Sequence, residues 1–357
     1  MIFLIRSNVV NLPTNVSLNY LWCGGFMISF FLILQVVSGV ILSLLYVADS
    51  CLSFGCVLSF TSEGLFLWLF RYSHIWGVTF IFILFFVLMG RALYYSSYSM
   101  FGVWNVGFVL YLLMMIEAFL SYILPWHQMS YWAATVLTSV LNSIPIVGSV
   151  LYKFVVGGFS VTNVTLVRVF SAHVCLAFVI LGFSVIHLFY LHKGGSNNPL
   201  FVFGGYGDVI LFHSYYTTKD GFVLMCWGAL LLVCPDLVLD VESYIEADPL
   251  VSPVSIKSEW YFFSLLCYAS FYSVNGWSVN SGFSFFICFM VAHLNSILRL
   301  WFSSSVCFLM KGFNFWFIEV LGGLSSSVPL CNDKNDRKSF GNCTIVYVKG
   351  IMGNSLF

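Results

Sequence analysis

LVRVFSAHVCLAFVILGFSVIHLFYL, residues 166–191, is the stretch whose reading decides the fold. It is longer than the run of about 20 apolar residues that a helix needs to cross a bilayer. Within it stand His173 and His187, fourteen residues apart. That spacing is close to four helical turns, so the two imidazoles share one face and lie about 21 Å apart along the axis. Hydrophobicity does not call for them. An ionisable group inside a membrane is costly and marks a function or a specific partner.

The rest of the chain has the same character. Of 357 residues, 60% are hydrophobic and 8% charged, and the mean hydropathy is +0.96. A soluble domain carries about 25% charged residues, so the composition predicts an all-α integral membrane bundle. The formal net charge is zero, which argues against nucleic acid as a partner. The first residues show no basic start, short apolar core and small-residue cleavage site, so no removable leader is expected. The 11 cysteines include no CxxCH and no CxxC pair. They read mainly as small hydrophobes.

Seven apolar runs reach spanning length: 22–47, 65–90, 104–125, 166–191, 221–239, 281–302 and 305–324. The tail from 326 to 357 is polar, and its last apolar stretch is too short for an eighth span. Three regions are expected: residues 1–200, 201–325 and the tail 326–357. Arg6, Arg91, Lys193, Lys219 and Arg299 fall on the side of the N-terminus, and Asp236, Asp240, Glu242, Glu246 and Asp248 on the other. The basic excess predicts an inner N-terminus. The connections 126–165 and 240–280 then lie outside, the second as a lid over a pocket.

The second run repeats the histidine theme. His74 stands near its start, but the position fourteen residues later is Leu88. Imidazoles facing each other across a helical bundle are a common way to grip haem iron in a membrane.

Several motifs carry a resemblance. They are SHIWG around His74, MGRALYYSSY at 89–98, LPWHQMSYWAATV at 124–136, GGFSV at 157–161, HLFYLHKGGSNNP at 187–199, FHSYYTTKD at 212–220 and SEWYFF at 258–263. In this order they resemble cytochrome b, the haem- and quinone-carrying core of the respiratory bc1 complex, from about Asn11 to Gly323. The resemblance implies two b haems. One is expected between His74 and His173 near the outer side. The other is expected on His187 near the inner side, where Leu88 cannot bind iron. That second haem has one histidine, or is absent, or takes Met89 as a thioether ligand, or the codon carries a local error or edit. Arg71 and Arg91 are candidate partners for haem propionates. Gly25, Gly39 and Gly107 fall where the family keeps glycines, which let a flat macrocycle approach the backbone. Ser121 takes the fourth such position.

The resemblance also implies two quinone sites. At the outer one Glu259 would accept a proton from quinol, beside Tyr261. Phe119, Tyr122, Trp132, Ala133 and Ile146 would form the walls. Ala133 stands where many members have glycine, which implies resistance to strobilurin-type inhibitors. Ser258 replaces a proline, and His127 replaces a glycine in the PWxQ turn for no evident reason. At the inner site His192, Ser196 and Asp220 would deliver protons. Glu117, mid-span, is expected to be a hydrogen-bonded structural acid, with a proton relay toward the outer haem as the alternative.

The implied activity is that of the ubiquinol–cytochrome c reductase core. Quinol is oxidised outside, one electron leaves to an iron–sulfur partner, and the other crosses through the b haems to reduce quinone inside, with proton translocation. The implied partners are a Rieske iron–sulfur subunit, cytochrome c1, other complex III subunits, a second copy of the complex and lipid. The implied location is the mitochondrial inner membrane, N-terminus in the matrix. A seven-helix transporter or a structural subunit with degenerate redox function is the alternative.

Overall fold

The computed structural model describes Arg6, Val10, Asn11 and most of residues 13–262, with gaps at 63, 143–145, 200–208, 254–255 and 257–258. The expected sixth and seventh spans, the polar tail and the lid beyond residue 262 lie outside the described residues. By contacts the chain divides into Met1–Trp316 and Phe317–Phe357, and everything below concerns the first unit.

The helices in chain order are α1 (Gly24–Ser43), α2 (Ser53–Ser62), α3 (Leu65–Tyr94), α4 (Phe101–Ile123), α5 (Gln128–Asn142), α6 (Gly148–Val156), α7 (Asn163–Gly194) and α8 (Phe212–Val233). The strands β1 (Pro13–Asn15) and β2 (Val209–Leu211) pair antiparallel. Among the described residues, four helices are long and apolar enough to cross a bilayer: α1, α3, α4 and α7. They coincide with the first four expected spans. The fifth, expected at 221–239, is α8 and lies earlier in the chain. Its first turns carry HSYYTTKD, and a kink at His213 and Ser214 marks its entry. The helix ends before Pro235, whose ring and missing N–H prevent its continuation.

The long helices pair α1 with α3 and α4 with α7. Apolar residues surround each one, so both a core and a lipid-facing surface follow. Met27, Phe31, Ile81, Phe82, Phe86, Leu110, Met114 and Ile180 form the core, joined by Tyr261 and Phe262 from the lid. Val167, Phe178, Val185, Ile186 and Phe189 of α7 are exposed, as expected for contact with acyl chains. α1 and α3 approach closely where Gly77 faces Gln35, whose amide donates to the His74 backbone carbonyl at 2.7 Å.

The connection expected at 126–165 contains α5 and α6, which pack on each other. Their apolar residues lie along one side, as suits helices resting on a membrane surface. α6 ends at Gly157, φ +85°, a left-handed cap that Gly adopts at little cost. α7 then starts with the Thr162 N–H donating to Thr165 Oγ1 at 3.0 Å.

Candidate functional site

His74 of α3 and His173 of α7 face each other with ring centroids 6.5 Å apart. That separation would leave room for a metal ion held between one nitrogen of each ring, at about 2 Å from each. His74 Nδ1 is 2.8 Å from Ser38 Oγ, and the Ser38 hydroxyl donates to the Leu34 carbonyl at 2.7 Å. The hydroxyl proton is therefore committed, Ser38 accepts from Nδ1–H, and Nε2 keeps its lone pair. His173 Nδ1 is 2.9 Å from Glu117 Oε1. A Cβ at Gly39 would come within 3.1 Å of His74 Cε1, so any larger residue would crowd the ring. Gly39, His74, Glu117 and His173 line one cavity together with Ser121, Ala118 and Ala177. Two facing imidazoles, one with its Nδ1 held by Ser38 and the other beside the Glu117 carboxyl, small residues beside them and apolar walls fit a bis-imidazole haem.

The other end of the bundle does not. His187 faces Gly107, where a Cβ would sit 3.0 Å from its Cε1. Its Nδ1 is buried and makes no hydrogen bond among the described residues. Opposite, the Leu88 side chain reaches toward Gly24, 3.8 Å from a Cβ placed there. Met89 packs against the apolar core. Nothing approaches a Cβ at Gly25 within 4 Å. One imidazole and one isobutyl group do not fit a two-histidine haem.

The cavity between His74 and His173 continues outward to Tyr122, Pro125, His127, Ser243, Glu259 and Tyr261. Short turns of the lid form this end. Gln128 N–H donates to the Ile245 carbonyl at 2.9 Å and Ala247 N–H to Trp126 at 3.1 Å. The Asp248 N–H donates to Gln128 Oε1 at 3.0 Å. On the far side Trp76 Nε1 donates to the Pro235 carbonyl at 3.0 Å, and Tyr72 and Tyr244 both donate to Asp236. Tyr261 stacks on Phe82, with centroids 4.2 Å apart and planes at 9°. Glu259 is thus held in a pocket whose low polarity pushes its carboxyl up to about 7, with the nearby Asp240 charge as the lesser cause.

The other expected residues are placed as follows. Arg71 borders the cavity but donates to the Val57 carbonyl at 2.9 Å and to Thr61, closing the end of α2. Arg91 lies over the Trp22 ring, 5.1 Å from its centroid. Phe119 packs edge-on to Phe262. Trp132 is half-buried and Ala133 buried, and neither is among the residues lining the cavity. Ile146 is 99% exposed and stands away from it. At the His187 end Asp220 is buried, with the Cys23 thiol beside it, whereas His192 and Ser196 are exposed. Among the described residues neither carboxyl oxygen of Asp220 has a hydrogen-bond partner.

Sequence reasoning left out Ser38 and had no account of His127. The imidazole of His127 accepts the Ser130 backbone N–H at 3.0 Å, which caps α5. The signal available was position: a polar residue directly before Gln128, where a helix starts and an acceptor is wanted.

The family model for cytochrome b/b6/petB matches residues 9–195, more than half of the chain. The chain belongs to the cytochrome b family. A solved structure described as a hyperthermophilic respiratory Complex III contains a chain with the same fold. It is 24% identical, with a TM-score of 0.75, and the match covers 99% of this chain and 94% of that one. The four-helix arrangement that brings His74 to His173 lies wholly within the matched family region.

Proposed function

We propose that this cytochrome b is the membrane core of a quinol-oxidising electron-transfer complex, with its working quinone site at the outer end. The observation that carries this is one continuous cavity, with His74 and His173 facing at 6.5 Å at one end and Glu259 and Tyr261 at the other. Haem b, held by the two Nε2 atoms, would supply one-electron redox chemistry there. The chain's own residues supply the rest. Phe82 fixes Tyr261 by stacking, so the ring walls the pocket in one orientation. Glu259, with its carboxyl raised to about 7, takes the proton that quinol loses, because an acid poised near the ambient pH exchanges protons fastest.

The inner half has a different standing. Asp220, His192 and Ser196 remain candidates for proton delivery to a quinone there. Residues 89–107 and 187–197 form the inner surface on this reading, with the N-terminus inside. Its partners in this role are an iron–sulfur protein and a c-type cytochrome, in a mitochondrial or bacterial energy-coupling membrane.

The test is a dithionite-reduced minus oxidised spectrum of the purified complex, with pyridine haemochrome quantitation and quinol-dependent reduction kinetics. A b-type band that quinol reduces is expected, and Glu259→Gln slows that reduction while the band persists. Absence of a b-type band overturns the proposal.

A further inference from the structure

Glu117 is the buried acid that this reading leaves unused. It sits in the middle of α4, 8% exposed, between the buried Met114, Met115 and Ala118. Holding a carboxyl group in a membrane span is costly, and such groups are found paired or at work. One oxygen, Oε1, lies 2.9 Å from His173 Nδ1. The other, Oε2, has no hydrogen-bond partner among the described residues. The His173 N–H points off the line to the carboxyl group, so a rotation of the ring completes the bond.

We propose that Glu117 is a positioning residue for His173 and lowers the reduction potential of the haem that His173 and His74 hold. The proposal rests on the haem reading above. Accepting from Nδ1–H leaves Nε2 as the only free lone pair of the ring, directed at the cavity. A metal-bound imidazole whose other N–H is given to an acceptor becomes a stronger electron donor. A stronger donor stabilises the oxidised iron and moves the potential down. The two rings differ in this respect. His74 is matched to the neutral hydroxyl of Ser38 at 2.8 Å, and His173 to a carboxyl group. Glu117 would therefore make the two imidazoles that hold the haem unequal donors. A lower potential would make the reduced group a readier electron donor and a weaker acceptor from the quinone site.

The test is a potentiometric titration of the purified complex, followed in the b-type absorbance, with low-temperature EPR of the oxidised protein. Glu117→Gln keeps an acceptor oxygen and removes the charge, and Glu117→Leu removes both. An upward shift of the midpoint of the His74/His173 haem is expected in both variants, larger in Glu117→Leu. The EPR signal of that haem should shift with it, while Ser38→Ala gives a smaller change. Normal haem content with unchanged midpoint and EPR signal in Glu117→Gln and Glu117→Leu overturns the proposal and leaves Glu117 as packing. Should Glu117→Leu fail to assemble, the near-isosteric Glu117→Gln decides alone. Loss of the b-type band in the unmodified protein instead overturns the haem reading.

Discussion

His127 Nδ1 accepts the backbone N–H of Ser130 at 3.0 Å, so an imidazole serves as the N-terminal cap of α5. The Ser130 hydroxyl returns a bond to the His127 carbonyl at 2.8 Å. A ring nitrogen that accepts carries no proton, so the proton rests on Nε2. That nitrogen belongs to a ring bordering the cavity, edge-on to Tyr122 with centroids 5.6 Å apart. Burial, and then the Arg71 charge, push the imidazole down from 6.5 to about 3.

The sign of the resulting pH dependence follows from that depression. The unfolded ring takes a proton near 6.5 and the native ring does not until about 3. Its contribution to stability is present above 6.5 and is lost as the pH falls from there toward 3. We expect the thermal unfolding temperature of the purified protein to fall across that window. His127→Asn, which caps a helix without titrating, should flatten this limb, whereas His127→Ala should lose about 1 kcal/mol of capping at all pH values. An acid limb of equal slope in His127→Asn would count against the assignment.

Glu259 behaves in the opposite sense. Its carboxyl is raised from 4.5 to about 7 by burial first and by Asp240 second. The native state therefore binds a proton that the unfolded state has released, and this stabilisation is present below 4.5 and lost as the pH rises through about 7. Proton acceptance needs the ionised form, so quinol oxidation should climb with pH to a plateau above about 7. Asp240→Asn should move the midpoint of the climb down. Glu259→Gln should remove the climb and slow the reaction about a hundredfold. A climb with the same midpoint in Glu259→Gln would exclude this residue as the acceptor.

The four long helices and the shared face of His173 and His187 were legible in the sequence for physical reasons, whereas the pairing of His74 with His173 came from the resemblance. A bilayer demands long apolar runs, and a helix period of 3.6 residues turns a fourteen-residue spacing into a shared face. α5 and α6 were not read, because amphipathic surface helices of 15 and 9 residues leave no long apolar run. Which residues wall the pocket was only partly legible. Tyr122 and Tyr261 border the cavity, whereas Ile146 is exposed, since a turn at φ +71° directs it away from the bundle. The Glu117–His173 contact required the relative height of α4 and α7, which no single-helix pattern contains.

Gly77 and Gln35 fix the close approach of α1 and α3. A Cβ at Gly77 would stand 2.1 Å from Gln35 Nε2, the atom that donates to the His74 carbonyl at 2.7 Å. Gly77→Ala pushes the flexible Gln35 amide aside and loses this bond. We expect a cost of about 1 kcal/mol from the lost hydrogen bond, and reduced haem occupancy at the His74 end. Gly77→Ala combined with Gln35→Ala relieves the clash without restoring the bond. Equal melting temperatures for Gly77→Ala and the parent, with full haem content, would contradict the packing argument.

The inner end offers the sharpest test, because a single side chain separates it from the outer one. His187 faces Gly107 across the same kind of close approach that His74 makes to Gly39. What differs is Leu88, which is apolar, reaches toward Gly24 and has no lone pair to give. We expect the unmodified protein to show one low-spin bis-imidazole haem signal by EPR, from the outer pair. Leu88→His places an imidazole fourteen residues after His74, on the same face of α3, opposite His187. A second low-spin signal should then appear, with its own midpoint in a potentiometric titration. Its dependence on the pair is checked by Leu88→His combined with His187→Ala, which should lose it again. Two bis-imidazole signals in the unmodified protein would show that a ligand other than residue 88 completes the inner site.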